Sequence, residues 1–432
     1  EMEINASRME RDTGEENSLI FPPYLLQAEH RVAEQIKKLA EKPPDYPGID
    51  FPKAMAWCEK KIGYTLAAGQ RQAIQAALMQ RMLIITGGPG VGKTTIINTV
   101  LMVLRAKGIK PVLCAPTGRA AKRMGESTGL EAKTIHRLLE YQSPQTGFAR
   151  NQENPLTGDL FVIDEASMID LPLMAAFLNA LPEDAHLLMI GDVDQLPSVG
   201  PGSVLSDIIE SDVVQVARLS EIFRQAAESR IIQAAHDINN GQPPVEFTSG
   251  AQPSAKSDFF FIERNDPEDA AAMIVRLLRE HIPEKFGLDP VHDVQVLTPM
   301  HRGSLGTQAL NKRLQDALNP ANEATFEIER FGSCFRTGDR VIQLRNNYEK
   351  EVFNGDIGRI TEITTDPGSI TVRFDDGRLA GYEPGELDEL APAFAITVHK
   401  SQGSEFPCVV LPVATQQFVL RHAKGQELAQ PR

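Results

Sequence analysis

Eight consecutive residues, Gly87-Gly88-Pro89-Gly90-Val91-Gly92-Lys93-Thr94, fit the spacing G-x-x-x-x-G-K-[ST]. Glycines at these places let backbone N–H groups converge on an anion without obstruction from Cβ atoms. A helix opening behind them adds the positive end of its dipole. Leu83-Ile84-Ile85 supplies the apolar strand that must precede such a loop, and the residues from Thr95 onward supply the helix that must follow. In that setting Lys93 reaches the β- and γ-phosphates of a nucleotide and the Thr94 hydroxyl ligates Mg²⁺. Gly88, Pro89, Gly90, Val91, Gly92 and Thr95 complete the phosphate cradle. Further on, Phe161-Val162-Ile163-Asp164-Glu165 is an apolar strand ending in two acids. Asp164 is placed to hold Mg²⁺ directly or through water. Glu165 is placed to orient an attacking water or take its proton. The two motifs imply nucleoside triphosphate hydrolysis and leave open what that hydrolysis drives.

The elements that must position these groups alternate. From Leu66 to about Val216 the expected strands are Met82–Thr86, Pro111–Ala115, Leu160–Asp164 and His186–Gly191, separated by helical patterns such as Thr94–Arg105 and Leu171–Ala180. Such alternation implies parallel strands joined by crossover helices, an α/β fold. A second alternating set has expected strands at Phe259–Ile262, Val294–Thr298 and Val341–Leu344, and helices near Arg230–Asn239, Asp269–His281 and Gly303–Ala317. Between Asn346 and Leu390 the pattern changes to antiparallel strands, Gly355–Thr361 and Ser369–Phe374, around turn signals such as Asp375-Asp376-Gly377. This stretch reads as a small β-barrel insertion. Its 11 acids against 4 bases argue that its outer surface is not a general phosphate-binding face. At the other end, residues 1–20 read as a loose acidic lead-in, Leu25–Ala40 as a helix, and 42–48 as a breaker-rich linker.

The chain has 432 residues, 42% hydrophobic and 24% charged, which is ordinary globular usage and excludes a mainly disordered, collagen-like or coiled-coil chain. A net charge of −14, from 44 bases and 58 acids, argues against a protein that coats DNA through bulk charge. It leaves room for a local basic groove. From Leu101 to Arg137 there are eight bases and two acids. Cys58, Cys114, Cys334 and Cys408 form no C-x-x-C pair, so neither a disulfide framework nor a zinc knuckle is expected, and the reducing cytoplasm is the expected compartment. No apolar run approaches the roughly 18–20 residues of a membrane span, so no membrane partner is expected. The polar start is no signal peptide. The first residue is not Met, and the chain is expected to begin inside a longer product.

Several further runs resemble, in order, the motifs of superfamily 1 DNA helicases. These are Leu66-Ala67-Ala68-Gly69-Gln70, the phosphate loop, Gly191-Asp192-Val193-Asp194-Gln195-Leu196-Pro197, and Thr397-Val398-His399-Lys400-Ser401-Gln402-Gly403-Ser404-Glu405. Ala115-Pro116-Thr117-Gly118-Arg119-Ala120-Ala121, Thr134-Ile135-His136-Arg137 and Ile222-Phe223-Arg224-Gln225 narrow the likeness to the RecD-type branch, especially its long form. The resemblance implies two RecA-like P-loop motor domains with parallel sheets and an SH3-like β-barrel inserted in the second. The boundaries so implied are a lead-in and helix at 1–48, and a first motor domain at 49–216 containing a hairpin at 141–159 that acts as a strand-separating pin. A second motor domain follows at 217–345 and 393–432, with the barrel at 346–392.

Carried over residue by residue, Gln70 hydrogen-bonds adenine and Gln195 senses the γ-phosphate. Arg224 is an arginine finger, and Gly403 and Glu405 approach the nucleotide from the second domain. Thr117, Gly118, Arg119, Thr134 and His136 contact DNA in the first domain. Thr298, Pro299, Met300, Asn346, Tyr348, Thr397 and His399 do so in the second. The activity implied is ATP- and Mg²⁺-dependent unwinding by a monomeric motor moving 5′ to 3′ on single-stranded DNA and at single-strand/duplex junctions, in repair or recombination. One family feature is missing. A Tyr-x-x-x-Thr-Arg-Ala core is expected after Phe418, where the chain reads Arg421-His422-Ala423-Lys424-Gly425. Two other readings therefore stand beside the first. One is a fragment that binds nucleotide and DNA without turnover. The other is a motor subunit in a nuclease or relaxase assembly.

Overall fold

The structure is a computed structural model describing residues 10–13, 18–143, 146–221, 229–244, 257–322, 326–347, 349–364 and 368–414. The chain divides into two units, Glu1–Asn240 with Ser254–Phe259, and Gly241–Pro253 with Phe260–Arg432.

Six parallel strands make the sheet of the first unit, in the order Val216–Leu219, Met82–Gly87, His186–Gly191, Leu160–Ile163, Pro111–Ala115, Ala132–Thr134. Its central strands Leu160–Ile163 and His186–Gly191 are buried along their whole length because both faces are covered. Side chains alternate between the faces. Met82, Ile84, Phe161, Ile163, Leu187 and Met189 pack on one face with the helices Pro23–Glu41, Leu171–Ala180 and Val204–Glu210. Leu83, Ile85, Val162, Leu188 and Ile190 pack on the other with Phe51–Ile62, Ala68–Met79 and Lys93–Ala106. Since all six strands run the same way, the loops that follow them emerge at one edge, the usual ligand edge of such sheets.

The second unit holds a three-stranded parallel sheet, ordered Ala395–Thr397, Val294–Thr298, Cys408–Val410, packed on helices Pro267–Arg276 and Thr307–Leu318. It also holds a five-stranded antiparallel sheet, ordered Leu379–Tyr382, Ile370–Phe374, Ile357–Ile363, Arg340–Gln343, Leu390–Pro392. That sheet has a core of its own, with Phe335, Val341, Ile360, Val372, Phe374 and Tyr382.

Four expectations need correction. Residues 10–13 and 18–21 of the lead-in pair as antiparallel strands. Phe259–Ile262 is not a strand. Phe260, Phe261 and Ile262 stay 38–46% exposed, whereas a strand of a parallel sheet is covered on both faces. The strand expected at Val341–Leu344 is Arg340–Gln343, and it lies in the antiparallel sheet because its partners are Ile357–Ile363 and Leu390–Pro392. The helix expected from Gly303 starts only at Thr307. Gly306 presses against the Arg302 backbone, where a Cβ would come within 2.4 Å, so the chain turns tightly before the helix can begin.

Candidate functional site

The phosphate loop runs from the end of strand Met82–Gly87 to helix Lys93–Ala106. Gly90 and Gly92 have φ of 76° and 80°, a conformation that side chains disfavour, and Val91 between them is buried and anchors the loop. Lys93 folds back over the loop, its Nζ donating to the carbonyl oxygens of Gly87 at 2.5 Å and Gly88 at 3.3 Å. The cationic head therefore sits at the mouth of the cradle. Thr94 is exposed at the first turn of the helix, beside Thr95. His236, on helix Arg230–Asn239, lies over the loop. A Cβ at Gly88 would be 3.4 Å from its Cε1, and its buried Nε2 has no hydrogen-bond partner among the described residues.

Two strands away, Leu160–Ile163 delivers Asp164 and Glu165. Asp164 Oδ1 accepts from the Glu165 N–H at 2.9 Å, and Glu165 sits at φ 52°, a strained backbone of the kind found at functional sites. Burial pushes both carboxyls above the usual carboxylate range, and the Asp164 charge adds to the push on Glu165, while Arg123 and Lys93 pull the other way. Arg123 Nη2 donates to Glu165 Oε1 at 2.9 Å.

Gln70 is buried near the start of helix Ala68–Met79. Its Oε1 accepts from Ala67 N at 3.1 Å, and its Nε2 is buried without a hydrogen-bond partner among the described residues. An orphaned amide donor suits recognition of a purine ring. The segment is braced next door, where Arg71 grips Glu59 at 2.6 and 2.7 Å and Glu59 accepts from Leu66 N at 2.9 Å. Gln195 is exposed in the loop after His186–Gly191. Its neighbour Asp194 accepts from Asn239 Nδ2 at 2.6 Å, which ties that loop to the helix carrying His236.

The first-unit DNA candidates share the same sheet edge. Thr117 follows strand Pro111–Ala115 closely and Thr134 ends strand Ala132–Thr134, and both cap the next helices, accepting from Ala120 N at 3.2 Å and Arg137 N at 3.1 Å. Their hydroxyl oxygens thus serve helix starts, as their types predict. Gly118 and Arg119 open helix Gly118–Thr128, and Lys122 and Arg123 follow one turn later. His136 packs its ring against Tyr141 and Phe148, and burial lowers its pKa. Those two aromatics belong to Tyr141–Ser143 and Gly147–Phe148, which pair antiparallel at the start of the stretch 141–159, and both rings contact His136.

In the second unit Thr298 and Thr397 stand side by side in the parallel sheet. Thr298 is fully buried and its hydroxyl donates to Leu305 O at 2.6 Å. The Thr298 hydroxyl therefore holds the loop that follows its strand. Pro299 and Met300 follow, half-buried. Thr397 accepts from Lys400 N at 3.3 Å, and His399 is exposed in the same turn. Asn346 is joined to this turn through Asn354, whose N–H donates to Asn346 Oδ1 at 2.9 Å and whose Oδ1 accepts from Lys400 Nζ at 3.1 Å. Gly403 takes a φ of 71°, and Glu405 is exposed beyond it. Arg224 and Tyr348 lie outside the described residues. Sequence reasoning passed over the positions of His236, Asn239 and Arg123. Arg123 was visible as one charge in a basic run, and the other two carried no local signal.

Three segments of the chain match known protein families. Residues 70–201 match an AAA domain, 310–374 the SH3 domain of ATP-dependent RecD-like DNA helicases, and 392–425 a UvrD-like helicase C-terminal domain. The ATP-dependent RecD2 DNA helicase of Deinococcus radiodurans is 37% identical over 393 residues, 90% of this chain and 51% of that protein. The RecD subunit of the RecBCD enzyme of Mycolicibacterium smegmatis is 31% identical over 389 residues, 82% of this chain and 67% of that subunit. The chain belongs to the RecD-type superfamily 1 helicases. It spans about half the length of the Deinococcus RecD2 protein and two thirds of the mycobacterial RecD subunit. The Pif1 helicase of Bacteroides, solved with ADP-AlF3 and single-stranded DNA, is 22% identical, covers 81% of this chain and 87% of that one, and superposes with a TM-score of 0.48. RecD-type P-loop proteins are ATP-binding, typically with Mg²⁺. The loop glycines, the helix N-terminus, Lys93 and the orphaned Gln70 amide fit a nucleotide, and the Thr94 hydroxyl and Asp164 carboxylate suit the hard oxygen ligation of Mg²⁺. Among the described residues, no helix is long and apolar enough to cross a membrane.

Proposed function

We propose that this chain is an ATP-dependent DNA helicase motor that moves 5′ to 3′ along single-stranded DNA as a monomer and opens junctions with duplex. The observation that carries the reading is the shared edge of one six-stranded sheet. The phosphate loop, Asp164-Glu165, the Asp192–Gln195 loop and Thr117 follow parallel strands there, and Thr134 ends one. In this reading, nucleotide chemistry and a basic DNA track share one sheet.

Lys93 leaves the loop carbonyls for the β- and γ-phosphates, and the backbone N–H groups at the start of its helix cradle them. Gln70 donates to the adenine, and Gln195 reads the γ-phosphate. Glu165 orients the attacking water, and Arg224, assigned by its place in the motif, neutralises charge on the transferred phosphoryl group. Mg²⁺ held by Thr94 and Asp164 would spread the phosphate charge. Gly118, Arg119, Thr117 and Thr134 hold the DNA backbone through N–H, cationic and hydroxyl groups, and the turn at Thr397–Lys400 with Asn346 does so in the second unit. A role in repair or recombination, beside a nuclease partner, is part of this proposal; one relative is a subunit of a larger enzyme, RecBCD.

Strand separation on forked duplexes with one single-stranded tail tests the proposal. Unwinding is expected from the 5′ tail with ATP and Mg²⁺. Unwinding only from the 3′ tail contradicts the polarity. Intact DNA binding with no unwinding and no hydrolysis contradicts the motor and favours the binding-only reading.

A further inference from the structure

The carboxylate that must orient water is not free to do so in this structure. Glu165 Oε1 is held by Arg123 Nη2 at 2.9 Å. The two partners differ in access, since the Glu165 side chain is 11% exposed and that of Arg123 is 39% exposed. Arg123 belongs to helix Gly118–Thr128, whose start carries the DNA candidates Thr117, Gly118 and Arg119. Ala120, Ala121 and Met124 pack this helix into the protein. Arg119, Lys122 and Arg123 are spaced i, i+3 and i+4 and share a face away from those residues. One side chain therefore closes a basic stripe on the DNA track and also grips the catalytic carboxylate. A phosphodiester arriving on the stripe competes for the same guanidinium, which binds carboxylate and phosphate with the same fork of N–H donors.

We propose that Arg123 is a positioning residue that couples DNA occupancy to hydrolysis. Without DNA it restrains Glu165 in an ion pair, and with DNA it turns to a backbone phosphate and releases the carboxylate to the water. This deepens the proposed function and rests on it, because it needs a DNA track at this helix. Coupling of this kind is reciprocal. If DNA and Glu165 compete for one guanidinium, removing the carboxylate must tighten DNA binding, and it must do so only while Arg123 is present.

The test is a double-mutant cycle read by fluorescence anisotropy of a labelled oligo-dT strand, without nucleotide, in the full chain. Glu165→Gln is expected to lower the Kd for the strand about threefold to tenfold, and to have no such effect in an Arg123→Ala background. ATPase assays give the second readout. Arg123→Ala is expected to raise hydrolysis without DNA several-fold and to shrink the ratio of DNA-stimulated to basal rate, with Arg123→Lys in between. An unchanged Kd for Glu165→Gln overturns the proposal, as does an equal gain in both backgrounds, which would be a general charge effect. Arg123→Ala lowering both ATPase rates by the same factor also overturns it, since that is the mark of a structural ion pair. A wild-type chain that binds no oligonucleotide defeats the proposed function itself, and is told apart from these outcomes by that control.

Discussion

His236 stands across the second glycine of the phosphate loop, where a Cβ built on Gly88 would lie 3.4 Å from its Cε1 and 3.7 Å from its Nε2. One residue earlier the constraint is harder, for a Cβ on Gly87 would lie 2.7 Å from the Leu219 carbonyl oxygen. The first neighbour is the end of a side chain. The second is the backbone of an adjacent sheet strand, which cannot yield locally. Gly87→Ala should therefore cost about 2–3 kcal/mol, lowering the melting temperature by roughly 4–10 °C. Gly88→Ala should melt within about 2 °C of wild type. Equal melting temperatures for the two variants would contradict the geometry.

The Asp164 carboxylate is expected to lower stability. Burial disfavours its charged form, and Arg123 and Lys93 offset that only in part. Asp164→Asn keeps an oxygen to accept the Glu165 N–H and removes the buried charge. In Mg²⁺-free buffer at neutral pH it should raise the melting temperature by about 2–4 °C, while ATP hydrolysis falls at least about a hundredfold. A lower melting temperature would show that the carboxylate is net stabilising.

The stability of the first unit should depend on pH through His186. This ring is buried, stacked on Tyr46 with centroids 3.7 Å apart, and 3.2 Å from an Asp45 carboxylate oxygen. Burial holds its pKa below the ordinary histidine value despite the Asp45 charge. The unfolded chain therefore takes up the proton more readily. The contribution is fully present above about pH 6.5 and is lost as the pH falls through that value towards the lowered one. His136, also lowered by burial, acts with the same sign. Melting temperatures should drop between pH 7.5 and 5.5, and His186→Gln should flatten that slope. An unchanged slope in the variant would assign the dependence elsewhere.

In the second unit, the fully buried Tyr382 donates to Gln343 Oε1 at 2.7 Å, and Gln343 Nε2 donates onward to Glu389 at 2.9 Å. Tyr382→Phe leaves Gln343 Oε1 buried without its donor. It should cost about 1–3 kcal/mol, seen in urea unfolding as a loss confined to the transition of the unit holding the antiparallel sheet. A silent substitution would mean that the network contributes shape alone.

Strands and helices with strong burial patterns were legible in the sequence. Pro111–Ala115, His186–Gly191, Val294–Thr298, Leu171–Ala180 and Arg230–Asn239 match their expected bounds, because each pairs a definite period with clear flanking residues. Helix Phe51–Ile62 was not foreseen. Only Met55 and Cys58 are buried on it, too thin a stripe to show, and its order comes from the Asp50 cap and the left-handed Gly63 at its end. Phe259–Ile262 misled for the opposite reason, since apolar residues in a row do not say whether a second layer covers them. The phosphate loop and Asp164-Glu165 could be read locally because their chemistry is contiguous in the chain. The Arg123–Glu165 pair joins residues 42 apart, and Lys93's hold on the loop carbonyls depends on rotamers, so neither had a pattern to find.

Whether DNA on the same sheet edge drives nucleotide turnover at Lys93 is read most directly by steady-state ATP hydrolysis with and without a single-stranded oligonucleotide, with Lys93→Ala alongside. A large DNA-dependent rise is expected that vanishes in the variant while its melting temperature stays near wild type. A rate indifferent to DNA, or no turnover despite intact binding of both nucleotide and strand, would contradict it.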